Sequence, residues 1–189
     1  MVERPLAGVL ALQGGFAAHA RMLRDLGADV REVRVPADLD DLEGLVIPGG
    51  ESTTMTLGIE REDLAEPLRA FARSGRPVLG TCAGLIMLDR AHLGLMDLEA
   101  ERNAFGRQVR SFEADLDIEG LDGPPLRAVF IRAPWIAAHG EGVEILATVD
   151  GHAVAAREGS LTAVAFHPEL GSDTRLHERF LADCAAGGG

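Results

Sequence analysis

Pro77-Val78-Leu79-Gly80-Thr81-Cys82-Ala83-Gly84-Leu85-Ile86-Met87-Leu88 joins a short apolar run to a longer one through a turn of small residues that carries one cysteine. Val78-Leu79 has the look of a buried strand, and the run after Gly84 that of a helix. A strand-to-helix turn with small residues on both sides is the logic of the nucleophile elbow, which pushes one side chain out of the sheet and leaves room beside it. A helix starting there aims unpaired N–H groups and its positive dipole end at the sulfur, favouring thiolate over thiol. The alternative for Cys82 is a small buried hydrophobe, the usual fate of a free cysteine.

Working outward, Leu6 to Leu12 is a continuous apolar run, as in a strand covered on both faces of a parallel sheet. Gln13-Gly14-Gly15 breaks it, and Phe16, Ala20, Leu23 and Gly27 follow at helical spacing. Asp29–Val35 and Leu45–Ile47 predict two more strands, the second closed by Pro48-Gly49-Gly50. Helices around Ser52–Gly58 and Leu64–Ser74 lead to the strand before Cys82. Strands alternating with helices at this rhythm predict a βαβ architecture with helices covering a mostly parallel sheet. The second half differs. Gln108–Asp117, Ala128–Arg132, Val143–Val149, His152–Arg157 and Leu161–Phe166 are apolar and β-branched, with Asp150-Gly151 as a hairpin turn signal. A helix from about Thr174 to Ala182 closes the chain, and Gly187-Gly188-Gly189 is expected to fray.

The 189 residues suit one domain, expected over residues 1–186, and 47% hydrophobic content is enough for a sizeable core. A net charge of -12 argues against nucleic-acid and anionic-membrane surfaces, which would repel it. Trp135 is the single tryptophan and tyrosine is absent, leaving no stacking platform for bases. No apolar run spans a bilayer, and Met1-Val2-Glu3-Arg4-Pro5 does not open a secretory signal. Cys82 and Cys184 are too few for a disulfide scaffold, so a reducing cytoplasm is expected. Cys184, in a small-residue tail, receives no role. Scattered histidines and distant cysteines give no metal site, and no phosphate-binding glycine fingerprint is present.

A cysteine nucleophile needs a base and a group that orients the base. His19 and His177 fall on predicted helices with charged neighbours and are expected to be solvated. His92 and His139 fall in loops, and His152 follows a hairpin turn. His167 differs, because it emerges after Val164-Ala165-Phe166 at the end of a buried strand, where open α/β sheets bind ligands. Glu169 follows two residues on, with Pro168 stiffening the link, and its carboxylate could hold the imidazole in the useful tautomer. Pro48-Gly49-Gly50-Glu51-Ser52-Thr53 ends another strand. Its glycines allow an N–H to face an oxyanion, or the segment is an ordinary glycine turn with a Ser52 helix cap. Arg102 and Arg132 lie nearest to strand ends, where either could grip a carboxylate or make a surface pair.

Taken together, Gly80-Thr81-Cys82-Ala83-Gly84-Leu85 and His167-Pro168-Glu169 resemble the triad glutamine amidotransferases. Gly8–Gly14, Pro48–Met55, Glu101–Gln108, Ser111-Phe112-Glu113 and Phe130–Pro134 narrow the resemblance to the glutaminase subunits of pyridoxal 5′-phosphate synthases, over about residues 6–180. The resemblance implies a single-domain, three-layer, flavodoxin-like α/β fold with an added antiparallel part. It implies hydrolysis of L-glutamine to L-glutamate and ammonia with Cys82 as nucleophile, His167 as base and Glu169 orienting it. Gly50, Glu51, Ser52, Arg102, Ile131 and Arg132 would hold the glutamine, and the Gly50 and Ala83 N–H groups would form the oxyanion hole. No cofactor is implied. The ammonia would pass to a (β/α)₈ synthase subunit within a hetero-oligomer. Ala18 departs from the acidic residue relatives often carry there, and Asp89–Leu93 is a shorter segment than in many. Two rival readings are an amidotransferase feeding imidazole glycerol phosphate or a nucleotide, and a binding module whose cysteine senses oxidants.

Overall fold

Four parallel strand pairings build the half of the sheet that carries the elbow. Strands β1 (Leu6–Leu10), β2 (Asp29–Val33), β3 (Gly44–Ile47), β4 (Val78–Thr81) and β11 (Leu161–Val164) lie in the order β2-β1-β3-β4-β11. Each neighbouring pair is parallel, with Ile47 beside Gly80 and Thr81 beside Val164. The structure, a computed structural model, describes residues 4–106 and 110–187. The Gln108 and Val109 end of an expected strand, the first three residues and the last two glycines lie outside the described residues.

Helix α1 (Phe16–Asp25) follows β1, α2 (Ser52–Arg61) and α3 (Ala65–Arg73) follow β3, and α4 (Ala83–Leu88) follows β4. The closing helix, α5 (Arg175–Gly187), runs past the expected Ala182 and takes in the first glycine of the tail. Every residue of β3 and β4 is buried, so helices cover both faces of the sheet there. Burying Leu45, Val46, Ile47, Val78 and Leu79 contributes about 1.5–3 kcal/mol for each large side chain. That apolar content explains why these two strands read as continuous runs rather than alternating ones.

Beyond β11 the sheet turns antiparallel through β10 (His152–Glu158), β8 (Trp135–His139) and β5 (Leu98–Glu101), with β9 (Glu144–Val149) also paired to β10. Asp150 and Gly151 both take positive φ between β9 and β10, as the expected two-residue hairpin requires. Strands β6 (Ser111–Leu116) and β7 (Leu126–Ile131) form a separate antiparallel ribbon. Strands β5 and β8 are additions to the sequence reading. Each is short and carries exposed residues, so neither shows the apolar run that marked the central strands. No described helix is long and apolar enough to cross a membrane.

Candidate active site

Parallel pairing brings the C-terminal ends of β1, β3, β4 and β11 to one edge, so Gln13, Gly49–Ser52, Cys82 and His167 gather there. Cys82 has φ 50° and ψ −106°, a conformation costing about 1–3 kcal/mol for a residue with a Cβ. Its surroundings hold it there. Cys82 N–H donates to Val164 O at 2.8 Å, and α4 behind it is buried throughout. Gly84 is required by close approach, since a Cβ would overlap the Ile47 carbonyl oxygen of the neighbouring strand. The cysteine side chain is nearly buried, with its sulfur 3.9 Å from Ile131 O.

His167 leaves β11 with its N–H bonded to Val129 O at 2.8 Å. Pro168 then opens a 3₁₀ turn, Pro168–Leu170, that carries Glu169 back toward the ring. His167 Nδ1 lies 2.8 Å from Glu169 Oε1. A Cβ on Gly49 would stand 2.6 Å from His167 Cε1 and 3.2 Å from Cys82 Cβ, so nucleophile and base flank one glycine. Burial opposes the charged imidazole, but the neighbouring Cys82 and then the hydrogen bond with Glu169 outweigh it, raising His167 to about 10. Burial likewise opposes a charged Glu169, and the bond to His167 and then the nearby His19 hold it well below the usual carboxylate range.

The glycine loop after β3 is locked more than the sequence suggests. Gly15 N–H donates to Gly49 O at 3.0 Å, and Gln13 Nε2 donates to Glu51 O at 2.8 Å. Gly50 has φ 156°, and a Cβ there would overlap the Gln13 side chain. The α2 cap is Glu51 rather than the Ser52 that an ordinary turn would use. Its carboxylate accepts from Thr53 N–H at 3.0 Å and from Thr54 N–H and Oγ1–H, both at 2.7 Å. The Thr54 hydroxyl, the Thr54 N–H and the Thr53 N–H hold Glu51 at about 2, ionised at neutral pH. Arg102 approaches it at 3.4 Å.

Gly50, Glu51, Ser52, Cys82, Ala83, Arg102, Ile131, Arg132 and His167 line one cavity of about 380 Å³, so the expected binding residues do converge. Asn103 and Ile86 also line it. Asn103 stands beside Arg102, and Ile86 sits one helical turn beyond Cys82; helical periodicity alone could have found the second. An adjoining hollow of about 510 Å³ shares Arg102, Asn103 and Arg132 and adds Arg110. Three guanidinium groups at the mouth of a strongly acidic chain favour a ligand with a carboxylate.

Two expectations about histidine are corrected. His19 and His177 are fully buried rather than solvated. His19 falls on the stripe of Ala20 and Leu23, and His177 on that of Phe180, Leu181 and Cys184, so helical position outweighs charged sequence neighbours. Both lie behind Glu169.

An elbow cysteine, a histidine–carboxylate pair and a glycine loop at one edge of a parallel sheet define a glutamine amidotransferase type of α/β protein. A solved glutamine amidotransferase superposes with a TM-score of 0.88 at 43% identity, covering 95% of this chain and 98% of its own. The structure of PurLQS from Thermotoga maritima, at 17% identity and a TM-score of 0.70, shares the fold. The model of the SNO glutamine amidotransferase family matches residues 9–186. The pyridoxal 5′-phosphate synthase subunit PdxT of Rhodococcus opacus is 50% identical, covering 95% of this chain and 97% of its own length. That of Frankia alni is 52% identical, covering 94% of each. This chain belongs to the SNO glutamine amidotransferase family.

Proposed function

We propose that this chain hydrolyses L-glutamine to L-glutamate and ammonia, and delivers the ammonia to a separate (β/α)₈ subunit that builds pyridoxal 5′-phosphate. The observation that carries the reaction is the alignment of Cys82, His167 and Glu169 at the sheet edge, with His167 Nδ1 2.8 Å from Glu169. The pathway rests on relatives named as pyridoxal 5′-phosphate synthase subunits across nearly their whole length.

His167 is the base that accepts the proton of Cys82. The Cys82 sulfur attacks the side-chain amide carbon of glutamine, and the carbonyl oxygen becomes an oxyanion held by the Gly50 and Ala83 N–H groups. His167 gives its proton to the leaving nitrogen, and the C–N bond breaks to release ammonia and leave a thioester on Cys82. Water then attacks the thioester as His167 takes its proton, and the C–S bond breaks to release glutamate. Glu169 keeps the Nε2 edge of the ring turned to the sulfur throughout. Arg102 and Arg132 suit the substrate α-carboxylate, and the ionised, half-exposed Glu51 suits its ammonium. Ser52 and the Ile131 carbonyl close the remaining walls. A free thiol in this role suits a reducing cytoplasm, and direct transfer of ammonia within a hetero-oligomer follows from a product that would otherwise diffuse away.

Incorporation of amide-¹⁵N from glutamine into pyridoxal 5′-phosphate tests the reading, with this chain, the synthase subunit, a pentose phosphate and a triose phosphate present. Label in the pyridine ring is expected. Glutamate formation without ring label would reject the pathway, and no glutamate formation would reject the reaction.

A further inference from the structure

Behind the catalytic pair lies a buried polar cluster that the steps above leave unused. His19 on α1, His177 on α5 and Thr81 at the end of β4 are all fully buried. His19 Nδ1 stands 2.8 Å from His177 Nε2, and His19 Nε2 stands 3.1 Å from Thr81 Oγ1. The same Nε2 lies 3.3 Å from Glu169 Oε2. That carboxylate oxygen is buried with no well-directed hydrogen bond, and so is His177 Nδ1. His19 Nε2 and His167 Nδ1 thus approach the two different oxygens of the one carboxylate.

Proton positions follow from the partners available. Of the two His177 ring nitrogens only Nε2 has a partner. A neutral His177 protonated on Nε2 donates to His19 Nδ1, which leaves the His19 proton on Nε2, facing Thr81 and Glu169. The opposite pair of tautomers would bury a His177 N–H without an acceptor and turn the bare His19 Nε2 toward a carboxylate. Both changes cost free energy in a dry interior.

We propose that His19, with its tautomer set by His177, is a positioning residue for the triad. Its Nε2–H fixes the Glu169 carboxylate and thereby the His167 imidazole against Cys82. The assignment rests on the triad reading given above. A carboxylate held at one oxygen only is free to twist about its terminal bond and swing Oε1 off the ring. Small losses of alignment are expensive in a reaction that depends on oriented groups. Thr81, directly before Cys82 in the chain, shares the same proton, so one N–H ties the carboxylate to the strand that carries the nucleophile. The arrangement joins α1, β4, α5 and the turn after β11 at one buried point.

The His19→Asn and His19→Gln pair tests this. An asparagine amide nitrogen is two bonds from Cβ, as Nδ1 is; a glutamine amide nitrogen is three bonds away, as Nε2 is. His19→Gln therefore restores a donor toward Glu169, whereas His19→Asn offers one only toward His177. Ammonia release is measured at varied glutamine in the complex with the synthase subunit. His19→Asn is expected to lower kcat roughly 10–100-fold, the usual effect of removing a partner that orients a site group, with KM unchanged. His19→Gln is expected to keep most of the parent kcat. The low-field proton resonance of the His167 Nδ1–H on Glu169 should persist in His19→Gln and be lost or shifted in His19→Asn. Equal kcat in the two variants, or a change confined to KM, overturns the assignment. Should His19→Asn not fold by thermal unfolding, His177→Met replaces it. Without the donor that sets the His19 tautomer, kcat should fall likewise, and a parent-like kcat overturns the proposal. His167→Asn is assayed alongside. If it turns over like the parent, the triad reading itself fails; if it is inactive while the His19 variants are alike, only the role of His19 fails.

Discussion

His167 Nδ1 and Glu169 Oε1 lie 2.8 Å apart across a single proline, while the second oxygen of the same carboxylate points inward to His19 at 3.3 Å. One short turn thus serves a reacting face and a buried face together. Pro168 fixes φ at the start of the turn, so the pair is set locally, and only its position against Cys82 depends on the sheet.

His167→Asn is therefore expected to keep the fold and lose about 10²–10⁴ in kcat, because the thiol loses its proton acceptor. Glu169→Gln should lose less, since a carbonyl oxygen can still accept from Nδ1–H although the charge is gone. Steady-state ammonia release in the complex with the synthase subunit checks both. Parent-like turnover by His167→Asn would remove it from the mechanism.

The elbow, the glycine loop and His167-Pro168-Glu169 were legible in the sequence because each joins a run of apolar residues to a local break. Parallel pairing then carries them to the same edge. The buried histidines were not legible from their immediate neighbours. Arg21 beside His19 and Glu178 beside His177 point away from the core, and only helical spacing puts the two rings on the apolar stripes. The β6 and β7 strands were read but not their separation from the main sheet, and the β5 and β8 strands depend on long-range pairing, which no local pattern of exposed residues encodes. Capping by Glu51 was also hidden, since a Ser-Thr-Thr run offers more familiar caps.

The two thiols should differ sharply. Cys82 sits in the cavity wall, whereas Cys184 is fully buried against Gly44 and Phe180. Burial, and then Glu43 and Asp183, push the Cys184 thiol up to about 12, so almost none is thiolate at neutral pH. A glutamine-mimicking electrophile is expected to modify Cys82 alone, as read by peptide mapping. Equal labelling of both thiols would contradict the assignment.

Acid should destabilise the fold through His177 before it does so through Glu169. Burial, and then His19, push the His177 imidazole from 6.5 down to about 3, with Glu169 acting the other way. Between those values the unfolded chain binds a proton that the folded chain refuses, so stability falls as pH falls from about 6.5 toward 3. Glu169, held low, adds the same sign only below its ordinary 4.5. His167, raised to about 10, is protonated in both states below 6.5 and gives no slope there. The pH 6.5 to 5 segment thus reports His177, at up to about 1.4 kcal/mol per pH unit. His177→Gln, which keeps the donor toward His19, is expected to flatten Tm against pH in that segment. An unchanged slope would assign the loss to other groups.

Docking of a synthase subunit is expected to raise glutaminase turnover through the loop after β3. Gly49 and Gly50 make a peptide that rotates at little steric cost, and Gly50 N–H is the donor expected to meet the oxyanion. Two contacts from the first βα loop hold that segment in the free chain: Gly15 N–H on Gly49 O at 3.0 Å, and Gln13 Nε2 on Glu51 O at 2.8 Å. Gln13 also lies across Gly50, where a Cβ would overlap it, so a shift of Gln13 necessarily alters the space around the peptide. A partner touching the end of β1 would then bias the loop between two arrangements without supplying a catalytic group. A missing oxyanion donor costs about 10²–10³ in kcat, and docking should restore turnover on that order. Ammonia release at saturating glutamine is compared with and without the synthase subunit, for the parent and for Gln13→Ala. A large rise in the parent and a small one in Gln13→Ala is the expected result. Equal rates for the free and docked parent would reject activation, and an equal rise in both proteins would reject the route through Gln13.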